Sequence, residues 1–303
     1  MRALMAGLAM LAAVAASPAQ AAEGPRGRAT QIDLSTPQGA VDGLRRIWCT
    51  EKDGEPVYWF WRGDVYSRRA GEPDKLLFKV EGLNTRTCVR RTDPERGEGF
   101  RSVSRELLIY LDPKTGQPLG KWTNPWTGQA VDVMHVANDP VNADFYVKTR
   151  TGEPLKWEGS SIAGQFFWTV TVPLFYPNPL GGAYQPEVGG TYHATEMFNF
   201  MGDDAVLLDR RTVPTDIKVG WVRLSQWLPW MRMGDRDGML YFHTAGRKTI
   251  RWEDVSELMR REVEQRYPAY RNPPPLDDAR PNMTSWKYYD LVRKGEIKAP
   301  AGN

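Results

Sequence analysis

Turn signals recur about every 12 residues through the middle of this chain, and they rule out long helices there. They are Asp112-Pro113-Lys114-Thr115-Gly116, Asn124-Pro125-Trp126-Thr127-Gly128, Asn138-Asp139-Pro140 and Thr151-Gly152-Glu153-Pro154. Proline presets φ and glycine supplies φ > 0, so the chain reverses at each of them. The first two share the pattern D/N-P-x-T-G, which reads as one turn chemistry used twice. Around them lie short runs rich in aromatic and β-branched residues: Val57–Trp61, Val65–Ser67, Leu76–Val80, Leu107–Leu111, Gln165–Val170 and Thr191–Thr195. This is the pattern of antiparallel strands. A meander of about ten strands must hide its edges. The reading is therefore a mainly β fold over about 55–225, a large antiparallel meander closed or curved into a barrel-like sheet.

A few peripheral helices complete the picture, most of them near the C-terminus. Ser35-Thr36-Pro37 is a helix start, after which Val41, Leu44, Ile47 and Trp48 share one face. Trp252, Val255, Leu258, Met259, Val263 and Tyr267 predict a helix over 252–267 that Pro268 stops. Asn272 to Pro281 reads as an extended arm wrapping the outside of the sheet, and Trp286, Tyr288 and Tyr289 dock a last short helix. The Pro- and Gly-rich excursion from Pro173 to Gly190, with Phe175, Tyr176 and Tyr184, is a candidate lid. No clean linker interrupts 35–303, so it is one β-rich domain with a helical, aromatic extension over about 226–303.

The N-terminus has a short positive start, an uncharged run from Ala3 to Ala16 and an Ala19-Gln20-Ala21 site. That is the pattern of a secretory signal peptide over 1–21, followed by a flexible polar leader over 22–34. The run is too short to span a bilayer, so no membrane span is expected in the mature protein. The expected location is periplasmic or secreted, after cleavage near Ala21. In an oxidising compartment the two cysteines, Cys49 and Cys88, read as a disulfide. The chain carries 40 Lys and Arg against 37 Asp and Glu, which gives no basic face for nucleic acid.

Phosphate-binding, dinucleotide, zinc-peptidase and serine-hydrolase motifs are all missing, and no cofactor or metal is expected. Three histidines remain, His135, His193 and His243, and their spacing gives no sign that they converge on a metal. Strand alternation puts Tyr241 and His243 on one face, where the pair could point into a cavity. Tyr241, His243 and His193 are the candidate catalytic residues, since a Tyr–His pair exchanges protons near neutral pH. The competing reading makes them half-buried, hydrogen-bonded members of the sheet. Twelve tryptophans suit an aromatic-walled pocket. Trp59, Trp61, Tyr192 and Trp230 are its candidate walls, with Arg223 and Arg232 to orient an anionic or phenolic group. A solvated turn with local ion pairs is the plainer reading of Arg232.

Several motifs carry a family resemblance across most of the chain: Gly63-x-Val65-Tyr66, Gly82-x-Asn84, Tyr110-x-Asp112-x-x-Thr115-Gly116 and Trp122-x-Asn124-Pro125-x-Thr127-Gly128. Asn138-Asp139-Pro140 and Trp227-x-Pro229-Trp230-Met231-x-Met233-Gly234 complete the set. The chain resembles a family of bacterial exported proteins known as a domain of unknown function, which implies no residue roles. The expectation is a protein that binds a small hydrophobic or aromatic molecule and transforms it by cofactor-independent acid–base chemistry, as a lyase or isomerase. The alternatives are a periplasmic carrier of such a molecule and an envelope interaction protein.

Overall fold

The aromatic runs do form strands, and several extend far beyond their apolar centres. A computed structural model describes residues 30–178 and 190–299 of the chain. After helix α1 (Pro37–Trp48) come three long antiparallel strands, β1 (Val57–Arg68), β2 (Lys75–Asp93) and β3 (Gly97–Leu111). The segment with the regular turns holds only short strands: β4 (Lys121–Thr123), β5 (Ala130–Asp132), β6 (Val136–Asn138), β7 (Ala143–Tyr146) and β8 (Ser160–Ile162). Long strands resume with β9 (Gln165–Pro177), β10 (Thr191–Asp203), β11 (Lys218–Ser225) and β12 (Met239–Thr249). Short helix α2 (Asp204–Leu208) follows β10, and α3 (Glu257–Arg266) and α4 (Ser285–Arg293) follow β12.

The strand order of the main sheet is β6-β3-β2-β1-β12-β11-β10-β9-β8, with β7 also paired to β3. No pairing joins the two ends among the described residues, so the sheet is not closed into a barrel. It is nevertheless strongly curved. Trp59 on β1 and Phe200 on β10 are three strand steps apart, about 14 Å in a flat sheet. Their ring centroids are 5.3 Å apart. Trp61 meets Trp221 across β12 at 5.9 Å, and Trp168 stacks on Phe200 at 5.2 Å. These rings fill the concave face. Trp61 lies between two cross-strand glycines, Gly82 and Gly246. A Cβ on Gly82 would sit 2.1 Å from the Trp61 indole, so only glycine lets that ring lie flat on the neighbouring strand.

Other elements seal the curled sheet. The first helix starts as its sequence implies, with the Thr36 hydroxyl accepting from the Gly39 N–H and Pro37 in its first turn. Its last carbonyls, which have no partner within the helix, are met by buried Lys248, whose Nζ donates to Arg46, Ile47 and Cys49. The Cys49–Cys88 disulfide then ties the helix end to β2 across 39 residues of sequence. Closing a loop of that length is worth about 3–4 kcal/mol in the chain-entropy model. α3 covers the convex side of β1–β3, packing Met259 and Val263 against Leu83 and Leu107. The expected single helix over 252–267 is in fact a short 3-10 turn at Trp252–Asp254 and then α3. Ser256 caps α3 at its own N-terminus, accepting from the Met259 N–H.

The arm from Asn272 runs along the outer side of β2 and β3, where Arg105, Arg91 and Arg101 donate to the carbonyls of Asn272, Leu276 and Asp278. α4 touches β6 on one edge and puts Trp286 against Tyr192 of β10 at 4.7 Å, so a helix occupies the seam that strands leave open. The end of the leader is held: Ile32 is buried and its N–H donates to the Leu208 carbonyl. The signal-peptide segment and the leader up to 29 lie outside the described residues. So do Tyr184 and the rest of 179–189, whereas Pro173–Pro177 continue β9 as strand. No helix among the described residues is long and apolar enough to cross a membrane.

If the flat Trp61 sets the curvature, Gly82→Ala is expected to lower stability by about 1–3 kcal/mol, the usual cost of overpacking. Urea denaturation checks it; a neutral or stabilising result would mean that the indole moves aside freely.

Candidate functional site

Strand alternation carries a polar group along the concave face. Asn84, Glu106 and Asn138 are direct partners across β2, β3 and β6, and Glu196 faces Arg223 across β10 and β11. Arg86, two residues from Asn84, donates through Nε to the Asn84 side-chain amide oxygen at 2.8 Å and lies 4.1 Å over the Trp48 ring. The Asn138 amide donates to Glu106 at 3.2 Å. On the far side of the curl, Arg223 donates to Glu196 at 2.5 Å and to the Tyr192 hydroxyl at 3.1 Å.

Curvature brings these two halves into electrostatic contact, although β3 and β10 are five steps apart in the sheet. Burial pushes the Glu106 carboxyl above the ordinary glutamate range, and the nearby Glu196 adds to the effect; Asn138, Arg223 and Arg86 act against it. Burial lowers Arg86 to about 9, opposed by Glu106. For Arg223 burial works downward, but Tyr192, Glu196 and Glu106 outweigh it and hold the guanidinium charged. Tyr176, the cross-strand partner of Tyr192, is pushed up to about 12 by burial and then by Glu196. Tyr110 is raised by burial, with Tyr192 and Glu106 adding to it and Arg223 opposing.

The group is deep yet reachable. Glu106 is half-buried, and the Glu196 and Arg223 side chains keep 17% and 16% of their exposure. Val170, Val172, Leu174 and Tyr176, which share this face on β9, are also half-buried rather than sealed. A carboxyl that burial makes harder to ionise than an ordinary glutamate, near an ion-paired carboxylate, can donate and accept protons.

Of the residues singled out from sequence, Tyr192 and Arg223 meet here. Trp59 and Trp61 are on the same face but buried in the packing that bends the sheet. Tyr241 and His243 do share a face, with rings stacked at 6.0 Å, but it is the opposite one: His243 is exposed and Tyr241 packs beside Tyr66. The idea that they point into a cavity is corrected by this placement, because their neighbours in sequence, Leu240, Phe242 and Thr244, take the inner positions. His193 is likewise exposed, edge-on to Phe175 at 5.0 Å. No group of three or more His, Cys, Asp or Glu among the described residues could hold a metal.

Trp230 and Arg232 belong to a separate cavity of about 620 Å³ at the end of the sheet, together with His135. The twin turns explain how Trp230 is held. Asp112 and Asn124 each accept two backbone N–H bonds from the turn that follows, as the repeated pattern implies. The buried Asn124 amide donates in addition to the Met231 carbonyl at 3.0 Å, which an aspartate could not do. Trp230 then packs on Tyr110, Phe78 and Trp122.

Glu106, Glu196, Arg86 and Tyr110 were not singled out from the sequence. A signal existed for Glu106, which alternates in phase with Leu108 and Tyr110, a charge on an otherwise apolar strand face. Glu196 gives the same signal, in phase with Tyr192, Ala194, Phe198 and Phe200, whereas Arg86, between polar Asn84 and Cys88 on its face, gives none.

Residues 54–292 match the family described as protein of unknown function (DUF1838). The chain belongs to this family. The matched span runs from just before β1 to the last turn of α4, so it takes in both halves of the Glu106–Arg223 group and all of the cavity lining except Ala299. No curated protein matches the sequence.

His135 provides a pH test of the region. Its Nδ1 accepts the Tyr110 backbone N–H at 3.1 Å, and burial, helped by Arg266, lowers its pKa from 6.5 to about 4. Between those values the unfolded chain binds a proton that the folded chain refuses. Stability is therefore full above the unfolded value and lost as pH falls through this window, by about 3 kcal/mol at 1.36 kcal/mol per pKa unit. His135→Gln, whose side-chain oxygen can still accept the Tyr110 N–H, is expected to lose about 3 kcal/mol less than wild type between about pH 7 and pH 4 in urea titrations. Equal losses would remove His135 as the cause.

Proposed function

We propose that the protein binds a small hydrophobic or aromatic molecule against the concave face and exchanges a proton with it through Glu106, the chemistry of a lyase or isomerase. The observation that carries this reading is the convergence of Glu106 with Glu196, Arg223 and Tyr192 inside an aromatic wall. Glu106 is the proton donor and acceptor. Arg223, with the Tyr192 hydroxyl, stabilises negative charge that develops on the substrate. The aromatic wall supplies apolar contact area and excludes water, which strengthens both effects. Tyr241, His243 and His193 take no part in this reading, since they lie on the opposite face, where the two histidines are exposed and Tyr241 packs beside Tyr66. The signal-peptide pattern and the disulfide support a periplasmic or secreted location.

The test is a thermal-shift screen of the oxidised protein against small aromatics, sterols, fatty acids and sugars, with each hit assayed for product. A ligand at a hundredfold excess over Kd stabilises the native state by about 2.7 kcal/mol. Glu106→Gln is expected to keep that ligand shift while turnover falls by about 10²–10⁴. A variant that turns over like wild type would remove Glu106 from the chemistry. Binding without product in the wild type would make the protein a carrier.

A further inference from the structure

The cavity of about 620 Å³ beside Trp230 lies within the size range of small-molecule sites and takes no part in the Glu106 chemistry. Its lining includes Trp230, Tyr267 and Tyr288 as aromatic surface, and His135, Arg232 and Arg266 as polar surface. His135 is only 9% exposed, and its protonation is set by a backbone contact. Because Nδ1 accepts from the Tyr110 N–H, the proton of the neutral ring sits on Nε2. No hydrogen bond to Nε2 is formed among the described residues, so the N–H of a ring that lines the cavity is left without a protein acceptor. Burial, and after it the charge of Arg266, keeps that ring from protonating, and the Arg266 guanidinium is itself 3.3 Å from Glu262. The lining thus holds two guanidiniums and one N–H donor. The one carboxylate in it, Asp132, is largely exposed and already bonds Lys121 at 2.6 Å.

We infer that this cavity is a second ligand site, taking a small planar organic anion, an aromatic carboxylate. Its ring lies among Trp230 and the tyrosines, and its carboxylate accepts from His135 Nε2–H and from the guanidinium side. Guanidinium groups fit carboxylate oxygens in geometry as well as charge, which favours the acid over a neutral analogue of the same shape.

The probe is 2-naphthoate, titrated into the full oxidised protein at neutral pH by calorimetry and by tryptophan fluorescence, with 2-naphthamide as its neutral counterpart. Saturable binding of the acid is expected, with the amide weaker by tenfold or more, the loss typical of a charge-assisted contact. Val292 is half-buried on α4 and lines the cavity, so Val292→Trp fills the space at small cost to the fold. That variant is expected to keep the wild-type circular dichroism and lose naphthoate binding by tenfold or more. Arg266→Met is expected to weaken the acid and leave the amide unchanged. No saturation by naphthoate at millimolar concentration, wild-type binding in a folded Val292→Trp, or equal affinity for acid and amide would each overturn the proposal.

Discussion

The packing of aromatic rings across non-neighbouring strands holds the rest of this structure in place. Trp61 lies flat on Gly82 and reaches Trp221, while Trp59 reaches Phe200, so β1 is drawn toward β10 and β11 over intervening strands. Buried aromatic pairs add about 0.5–1.5 kcal/mol each beyond their area, and here they also set a shape. A flat sheet with the same register would place β3 and β10 about 24 Å apart at the usual strand spacing. The curl brings Glu196 close enough to help raise the Glu106 carboxyl.

Curvature without closure leaves two edges to protect, and the chain uses its C-terminal region for both this and the convex side. α4 fills the seam with Trp286, α3 covers the outside of β1–β3, and the arm is held by arginines of β2 and β3. A helix in the seam solves the edge problem that strand pairing solves in a true barrel. It also places Tyr288, Tyr289 and Val292 beside the cavity, so the element that finishes the fold builds one of its two candidate sites.

Much of this was legible in the residues. The Thr36-Pro37 helix start, the Cys49–Cys88 bridge, the twin D/N-P-x-T-G turns and the outer path of the arm follow from local chemistry, and each is present. The extent of β2 and β3 was not legible, because Asn84, Thr85 and Arg86 look like loop residues until the Asn84–Arg86 bond, the Trp48 ring under Arg86 and the Tyr270 carbonyl are seen to hold them. Of the two forms expected, closed or curved, the sheet takes the open one, because an edge can be covered by a helix as well as by a strand. For Tyr241 and His243, alternation showed that they share a face but not which way the sheet bends. Bending is decided by contacts such as Trp59–Phe200, between residues more than a hundred positions apart in sequence.

The central claim is that curvature makes one polar group of Glu106, Glu196 and Arg223. Carbon-13 NMR titration of the Glu106 carboxyl, in wild type and in Glu196→Gln, tests it most directly. The account expects a midpoint above the ordinary glutamate value in wild type, because burial and Glu196 both raise it. In Glu196→Gln that midpoint should drop, since a nearby negative charge is gone and Arg223 acts on Glu106 with less competition. An ordinary midpoint in wild type, or one that ignores the loss of Glu196, would contradict it.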